Sequence, residues 1–193
     1  MDKVWTKEEV NKFLETCFSK FTWRSLGLLS CYVYELGQDY RDLRKLTWDS
    51  FNHDLTTVVI GRLCLPLSEN LQDMTRQQKG DWDFQPSVFP YLRESDNAYR
   101  PMHNNLINNQ LYEVREAAGI GPHATLRGLR YTALLEMYKE GVSRYELMCL
   151  TGIGESKNLD RFFGIDPEAA YAAAMKRKRN IKLSMKPKED DKV

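Results

Sequence analysis

Apolar residues recur along most of this chain at helical spacing. Thr6-x-x-Glu9 reads as a capping box, and Val10, Phe13, Leu14, Cys17 and Phe18 follow three and four apart, which predicts an amphipathic helix over 7–19. Leu26, Leu29 and Val33 predict a second helix over 25–36, with small residues between them that suit close helix packing and Gly37 as its stop. Tyr40, Leu43 and Leu46 fit one buried face of a short helix, with Trp48 wedged at its end. The runs 55–60 and 63–67 flank Gly61-Arg62 and predict a small hairpin ending at Pro66. Ser68 caps a helix to Gln78 with Leu71 and Met74 turned inward, and Leu106, Ile107, Leu111 and Val114 mark another over 104–118, stopped by Gly119.

Between those two helices, KGDWDFQPSVFPYLRESDNAYRP reads as a loop, because Gly, Pro and Asp interrupt any period. Its rings Trp82, Phe84 and Phe89 either pin the loop to the body or offer faces on which bases could stack. Residues 123–163 read as three short helices: one carrying Leu126, Leu129, Ala133 and Met137, one opened by Ser143, and one ending near Phe163. Asp166-Pro167-Glu168 then starts an Ala-rich helix that ends in Lys176, Arg177, Lys178 and Arg179, cations that suit a helix C-terminus. The expected fold is mainly α with a small antiparallel β-sheet (α+β), organised as a domain over 1–165, a helix over 166–180 and a flexible tail over 181–193.

Composition narrows the class. No apolar run approaches membrane-spanning length and the N-terminus lacks a signal-peptide core, so a cytoplasmic protein is expected. Cys17, Cys31, Cys64 and Cys149 are scattered among apolar neighbours without metal-ligand spacing, and are expected to be buried, reduced thiols. His53, His103 and His123 add no zinc pattern, and no metal or cofactor is expected. The net charge of +1 hides an asymmetry: residues 175–193 carry a net of +5, leaving about −4 on residues 1–174. A body of that sign is a poor general binder of nucleic acid, whose non-specific affinity comes from neutralised phosphates.

Arg127 and Arg130 lie three apart, and on a helix they project from one face as a pair suited to a phosphate oxyanion, or equally as a solvated basic edge. The surrounding LRGLRYTALLEMYKEGVSRYELMCLTG resembles the second signature box of the tyrosine recombinases, the phage integrase family. In that box a His-x-x-Arg-x-Thr pattern opens a helix, and a Leu-x-Gly-His pattern and a tyrosine nucleophile follow. On that resemblance the arginine falls on Arg130, the threonine on Thr132 and the glycine on Gly152. The segment ELGQDYRDLRKLTWDSF resembles the first box, Gly-x-Arg-x-x-Glu/Asp-Leu-x-x-Leu-x-Trp, through Gly37, Asp42, Leu43, Leu46 and Trp48. The resemblance covers roughly 5–165 and implies a tyrosine-recombinase catalytic-domain-like fold.

The chemistry implied by the family is attack of a tyrosine on a DNA phosphodiester, with two arginines and a histidine or tryptophan on the non-bridging oxygens. A lysine on a hairpin protonates the leaving oxygen and a further histidine assists. Here the nucleophile position is Phe162, which has no oxygen; the first arginine position is Asp39; the histidine before Arg130 is Arg127; the Leu-x-Gly-His histidine is Ile153; and no lysine stands between Lys45 and Lys79. Arg62, at the hairpin turn, holds its proton too tightly to be a good general acid. Like charges about 4 Å apart at an effective dielectric near 20 repel by roughly 4 kcal/mol, so Asp39 would oppose a phosphate that an arginine would attract.

The vestigial positions Asp39, Arg127, Arg130, Ile153 and Phe162 thus imply a retained fold without the reaction. Asp39 is expected to pair with Arg130 or Arg127, giving the arginines an internal counter-ion. The reading that follows is an inactive, recombinase-like DNA-binding protein, regulatory or architectural, touching DNA through Arg127, Arg130 and the tail cations Lys176, Arg177, Lys178 and Arg179. An interaction module that docks on an active recombinase or self-associates through the C-terminal helix is the alternative. A lesser one is an active recombinase with displaced groups, Tyr171 replacing the nucleophile and His123 the base.

Overall fold

Helix α2 (Arg24–Leu36) is apolar around most of its circumference and is the element the others enclose. The computed structural model describes residues 4–93, 95 and 97–153. All described elements belong to the first of two compact units, Met1–Gly152 and Ile153–Val193. In chain order these are α1 (Lys7–Phe18), α2, α3 (Tyr40–Leu43), β1 (Thr57–Ile60), β2 (Leu63–Pro66), α4 (Glu69–Trp82), β3 (Pro90–Arg93), β4 (Ala98–Pro101), α5 (Asn104–Ala118), α6 (Leu126–Lys139) and α7 (Arg144–Thr151). Helices α1, α3, α4, α5 and α6 all pack on α2. The expected α+β fold is therefore present, with two separate two-stranded antiparallel sheets in place of one. The boundaries expected at 165 and 180 fall outside the described residues.

The helix ends form as the sequence implies. Thr6 and Glu9 complete their capping box on α1, and Ser68 and Ser143 cap α4 and α7. Close packing of α1 on α2 rests on Gly27, where an added Cβ would lie 2.8 Å from the Cβ of Cys17 and 3.1 Å from the Phe18 ring. Polar ties fix the rest of α2: the hydroxyls of Tyr32 and Thr75 lie 2.6 Å apart, and the Ser25 hydroxyl donates to the Pro90 carbonyl at 2.8 Å. Thr132, a position the family resemblance picks out, has a structural task. Its hydroxyl accepts from the Trp5 backbone N–H at 2.8 Å and donates to the Gly128 carbonyl at 3.0 Å, holding the chain ahead of α1 against α6.

Three expectations need correction. The segment predicted as a loop over 79–101 contains the last turn of α4 and the hairpin β3–β4, paired from Pro90↔Pro101 to Arg93↔Ala98. Its prolines stand at the outer ends of the strands, where a missing N–H costs the ladder least, and they disguise the strands in the sequence. Of the rings expected to pin this segment, Trp82 and Phe89 are buried, whereas Phe84 is 61% exposed. Cys17 and Cys31 are buried, and burial pushes the Cys31 thiol up to about 12, but Cys64 and Cys149 are exposed. Cys64 falls on the outward face of β2, where exposure alternates along the strand, and apolar neighbours in sequence do not decide which face a residue takes.

Because the Gly27 contact leaves no room for a side chain, Gly27→Val is expected to cost about 1–3 kcal/mol by overpacking. Chemical denaturation should show this as a lower midpoint with an unchanged slope.

Candidate functional site

The C-terminus of α2 builds the site. Gly37 adopts φ +62° as the C-cap, returning its N–H to the Val33 carbonyl at 3.0 Å. A Cβ there would also lie 2.7 Å from Leu134 Cδ2, so the position needs glycine for both its dihedral and its space. Two residues on, Asp39 is extended and caps α3: its Oδ1 accepts the Arg41 backbone N–H at 2.9 Å. The same carboxylate takes the Arg41 guanidinium in fork geometry, from Nε at 2.9 Å and from Nη2 at 2.8 Å, and accepts from Arg130 Nη1 at 3.3 Å.

Arg130 reaches this point from α6, whose N-terminus is capped by Thr125. Each of its three nitrogens donates: Nε to the Gly37 carbonyl at 2.8 Å, Nη1 to Asp39, and Nη2 to the Thr151 carbonyl at 3.1 Å in the last turn of α7. Gln38 adds a parallel tie, its Nε2 donating to the Leu150 carbonyl at 2.6 Å. One guanidinium thus joins the end of α2, the start of α3 and the end of α7. Its side chain is 13% exposed, against 64% for Arg41, so the longer contact to Asp39 is the less screened of the two.

The expected pairing of Asp39 with Arg130 forms. Arg127 lies on the exposed side of α6, and its Nε donates to the Tyr131 hydroxyl at 3.2 Å with the guanidinium 5.7 Å from that ring. Arg127 and Arg130 nevertheless line one cavity of about 330 Å³, with Asp39, Tyr40, Arg41, Leu126 and Tyr131. His123 is turned elsewhere: its Nε2 lies 2.8 Å from Glu9 Oε1, linking the loop before α6 to α1. Ile153 is half-buried just after Gly152, which caps α7 at φ +67°. Arg62 is exposed at the turn of the β1–β2 hairpin. Phe162, Tyr171, Lys176, Arg177, Lys178 and Arg179 lie outside the described residues.

Arg41 is the site residue that sequence reading missed. Its signal was Asp39 itself, an Asp directly before a helical stretch, which caps the helix and meets the first-turn arginine. Hydrogen bonds from Arg41, opposed in part by burial and aided by Arg130, hold the Asp39 carboxyl below the usual carboxylate range. Burial lowers Arg130 from the ordinary arginine value and Asp39 opposes that, yet a guanidinium stays protonated at any working pH. The site is an anion already seated among cations: a carboxylate of the chain's own lines the arginine cavity. Among the described residues no cluster of His, Cys, Asp and Glu could hold a metal ion.

A scan against family models and a search of curated proteins find no match to the chain. Solved structures do resemble it. XerA recombinase aligns over 92% of this chain and 64% of its own, with a TM-score of 0.71 at 11% identity. XerH site-specific recombinase bound to palindromic difH aligns over 90% of this chain and 52% of its own, with a TM-score of 0.67 at 14% identity. A lambda integrase dimer bound to a COC′ core site aligns over 83% and 47%, with a TM-score of 0.61 at 15% identity. The fold is therefore that of a tyrosine-recombinase catalytic domain, and the chain spans about half to two thirds of the length of these proteins.

Removing the Arg130 guanidinium takes away three hydrogen bonds, to the Gly37 and Thr151 carbonyls and to Asp39, so Arg130→Met is expected to cost about 2–3 kcal/mol, read from urea denaturation at neutral pH. A depressed carboxyl pKa stabilises the fold at pH values above the unfolded pKa near 4, and that contribution is lost as pH falls through the folded value. Asp39→Asn should accordingly be less stable than the parent at pH 7, by about 1 kcal/mol. The gap should close as the solution is acidified below about pH 4. Parallel curves across that range would contradict the assignment.

Proposed function

We propose that this chain is a recombinase-fold protein that does not cut DNA and instead binds duplex DNA as a regulatory or architectural component of recombination. The observation that carries the reading is the carboxylate of Asp39 held between Arg41 and Arg130, where the family resemblance calls for an arginine facing a phosphate. The Asp39 carboxylate offsets one of the three positive charges at this cavity, Arg41, Arg127 and Arg130, and an incoming phosphodiester meets repulsion from Asp39 where an arginine would attract it. The sequence adds Phe162 at the nucleophile position, Ile153 and Arg127 at the histidine positions, and no hairpin lysine. At the positions that the family resemblance assigns, nucleophilic displacement at phosphorus lacks both its attacking oxygen and its lysine proton donor.

Duplex DNA as partner is supported by the solved neighbours, since the XerH and lambda integrase structures are complexes with their DNA sites. The acidic body leaves the electrostatic part of binding to two places, the outward Arg127 with Arg41 and the tail cations 176–179. Binding of this kind is salt-sensitive and, without a partner, weak.

Incubation with a nicked suicide duplex is expected to give no covalent protein–DNA adduct on a denaturing gel; an adduct, lost on Tyr171→Phe, would overturn the inert reading. Gel shifts at several salt concentrations should show duplex binding that falls steeply with salt. Replacing Lys176, Arg177, Lys178 and Arg179 together by Gln should flatten the salt slope by about one unit per lost phosphate contact. Absence of any shift at low salt would remove DNA from the proposal while leaving the inert reading in place.

A further inference from the structure

Helix α5 carries a polar face that the fold itself leaves unused. Ile107, Gln110, Leu111 and Val114 bury one side of the helix. At about 100° per residue, Asn104, Asn105, Asn108, Asn109 and Tyr112 fall within an arc of about 140° on the other side, and all five are exposed. Among the described residues, none of the four asparagine amides has a hydrogen-bond partner. Asparagine is a weak helix former, because its short amide competes with the backbone for hydrogen bonds. A row of four in one helix therefore works against the fold unless the amides meet something outside it.

The same stretch stands apart in charge. Residues 97–112, running from the second hairpin into α5, hold no Asp or Glu in a chain with 27 acids, which resume at Glu113 and Glu116. Cations flank the face instead. At its start, Arg44 Nη1 donates to the Met102 carbonyl at 3.3 Å, and Arg100 is exposed on β4. Along its side, Asn108 shares a hollow of about 360 Å³ with Tyr40, Arg115, Leu126 and Arg127. Tyr40, Leu126 and Arg127 also line the arginine cavity, so the asparagine face is continuous with the place where phosphate contact is proposed.

We infer, on the premise of the duplex binding proposed above, that the N-terminal half of this face reads bases in the major groove and that adenine is the base it selects. An asparagine amide matches the major-groove edge of adenine: Nδ2 donates to N7, and Oδ1 accepts from the N6 amino group. Guanidinia at the flanks suit phosphates, which fix register, whereas amides along the face suit base edges, which carry sequence. The dimensions agree. Asn104 and Asn108 lie one turn apart, about 6 Å along the axis, close to the rise of two base pairs at about 3.4 Å each. Glu113 and Glu116 repel phosphate from the C-terminal half, which leaves the helix to approach the groove by its N-terminus.

The test is selection by the full chain from a randomised duplex library at low salt, followed by affinity measurements on the enriched duplex. The parent is expected to enrich sites with adenines one or two base pairs apart and to bind them at least about tenfold more tightly than a scrambled duplex. Asn104→Ala and Asn108→Ala should each relax the choice at one adenine and lower affinity for the enriched duplex about tenfold. Affinity for the scrambled duplex should stay parental, and the melting temperature should not fall, since alanine is the better helix former. Asn70→Ala, at an exposed asparagine on α4, should leave both affinities unchanged. Duplex binding without enrichment, an enriched site lacking adenine, or a preference indifferent to Asn104 and Asn108 overturns base readout by α5 while DNA binding stands. No binding to any duplex at low salt removes the DNA reading itself, and base readout with it.

Discussion

One largely enclosed guanidinium, that of Arg130, ties three helix ends of this molecule together. Arg130 donates to the Gly37 and Thr151 carbonyls where two helices end, and it holds the Asp39 carboxylate with the same guanidinium. Helix C-termini leave their last carbonyls unpaired, and joining two of them through a third helix is a way to lock all three at one point. Arginine suits the task where lysine would not, because its planar fork presents several donors in fixed directions and keeps its charge when buried.

That lock changes the meaning of the cations around it. Two arginines near a partly buried point repel each other unless an anion lies between them. Here the anion comes from the chain, on a residue that also caps α3, so it costs no binding event and does not leave. In the reading proposed above, the recombinase fold survives because its glycine turn, its buried leucines and Thr132 are structural parts in their own right. The residues that differ from the family pattern are those whose only task would have been the phosphate.

Most of the helices and the first hairpin were legible in the sequence, because capping residues and the 3.6-residue period are local and need no distant contact. The two boxes were legible too, and with them the expectation that Asp39 meets Arg130. Folding decided what local pattern could not. The β3–β4 hairpin was hidden by its prolines, Cys64 and Cys149 turned outward, and Phe84 was left in water while Phe89 was buried. Arg41 took the tightest hold on Asp39, and Arg130 spent its nitrogens on carbonyls from helices that begin and end far away in the chain. The reason is general: a sequence states which groups carry charge and where a period runs. Which acceptor a donor meets, and which side of an element faces water, depends on segments brought together only when the whole core closes around α2.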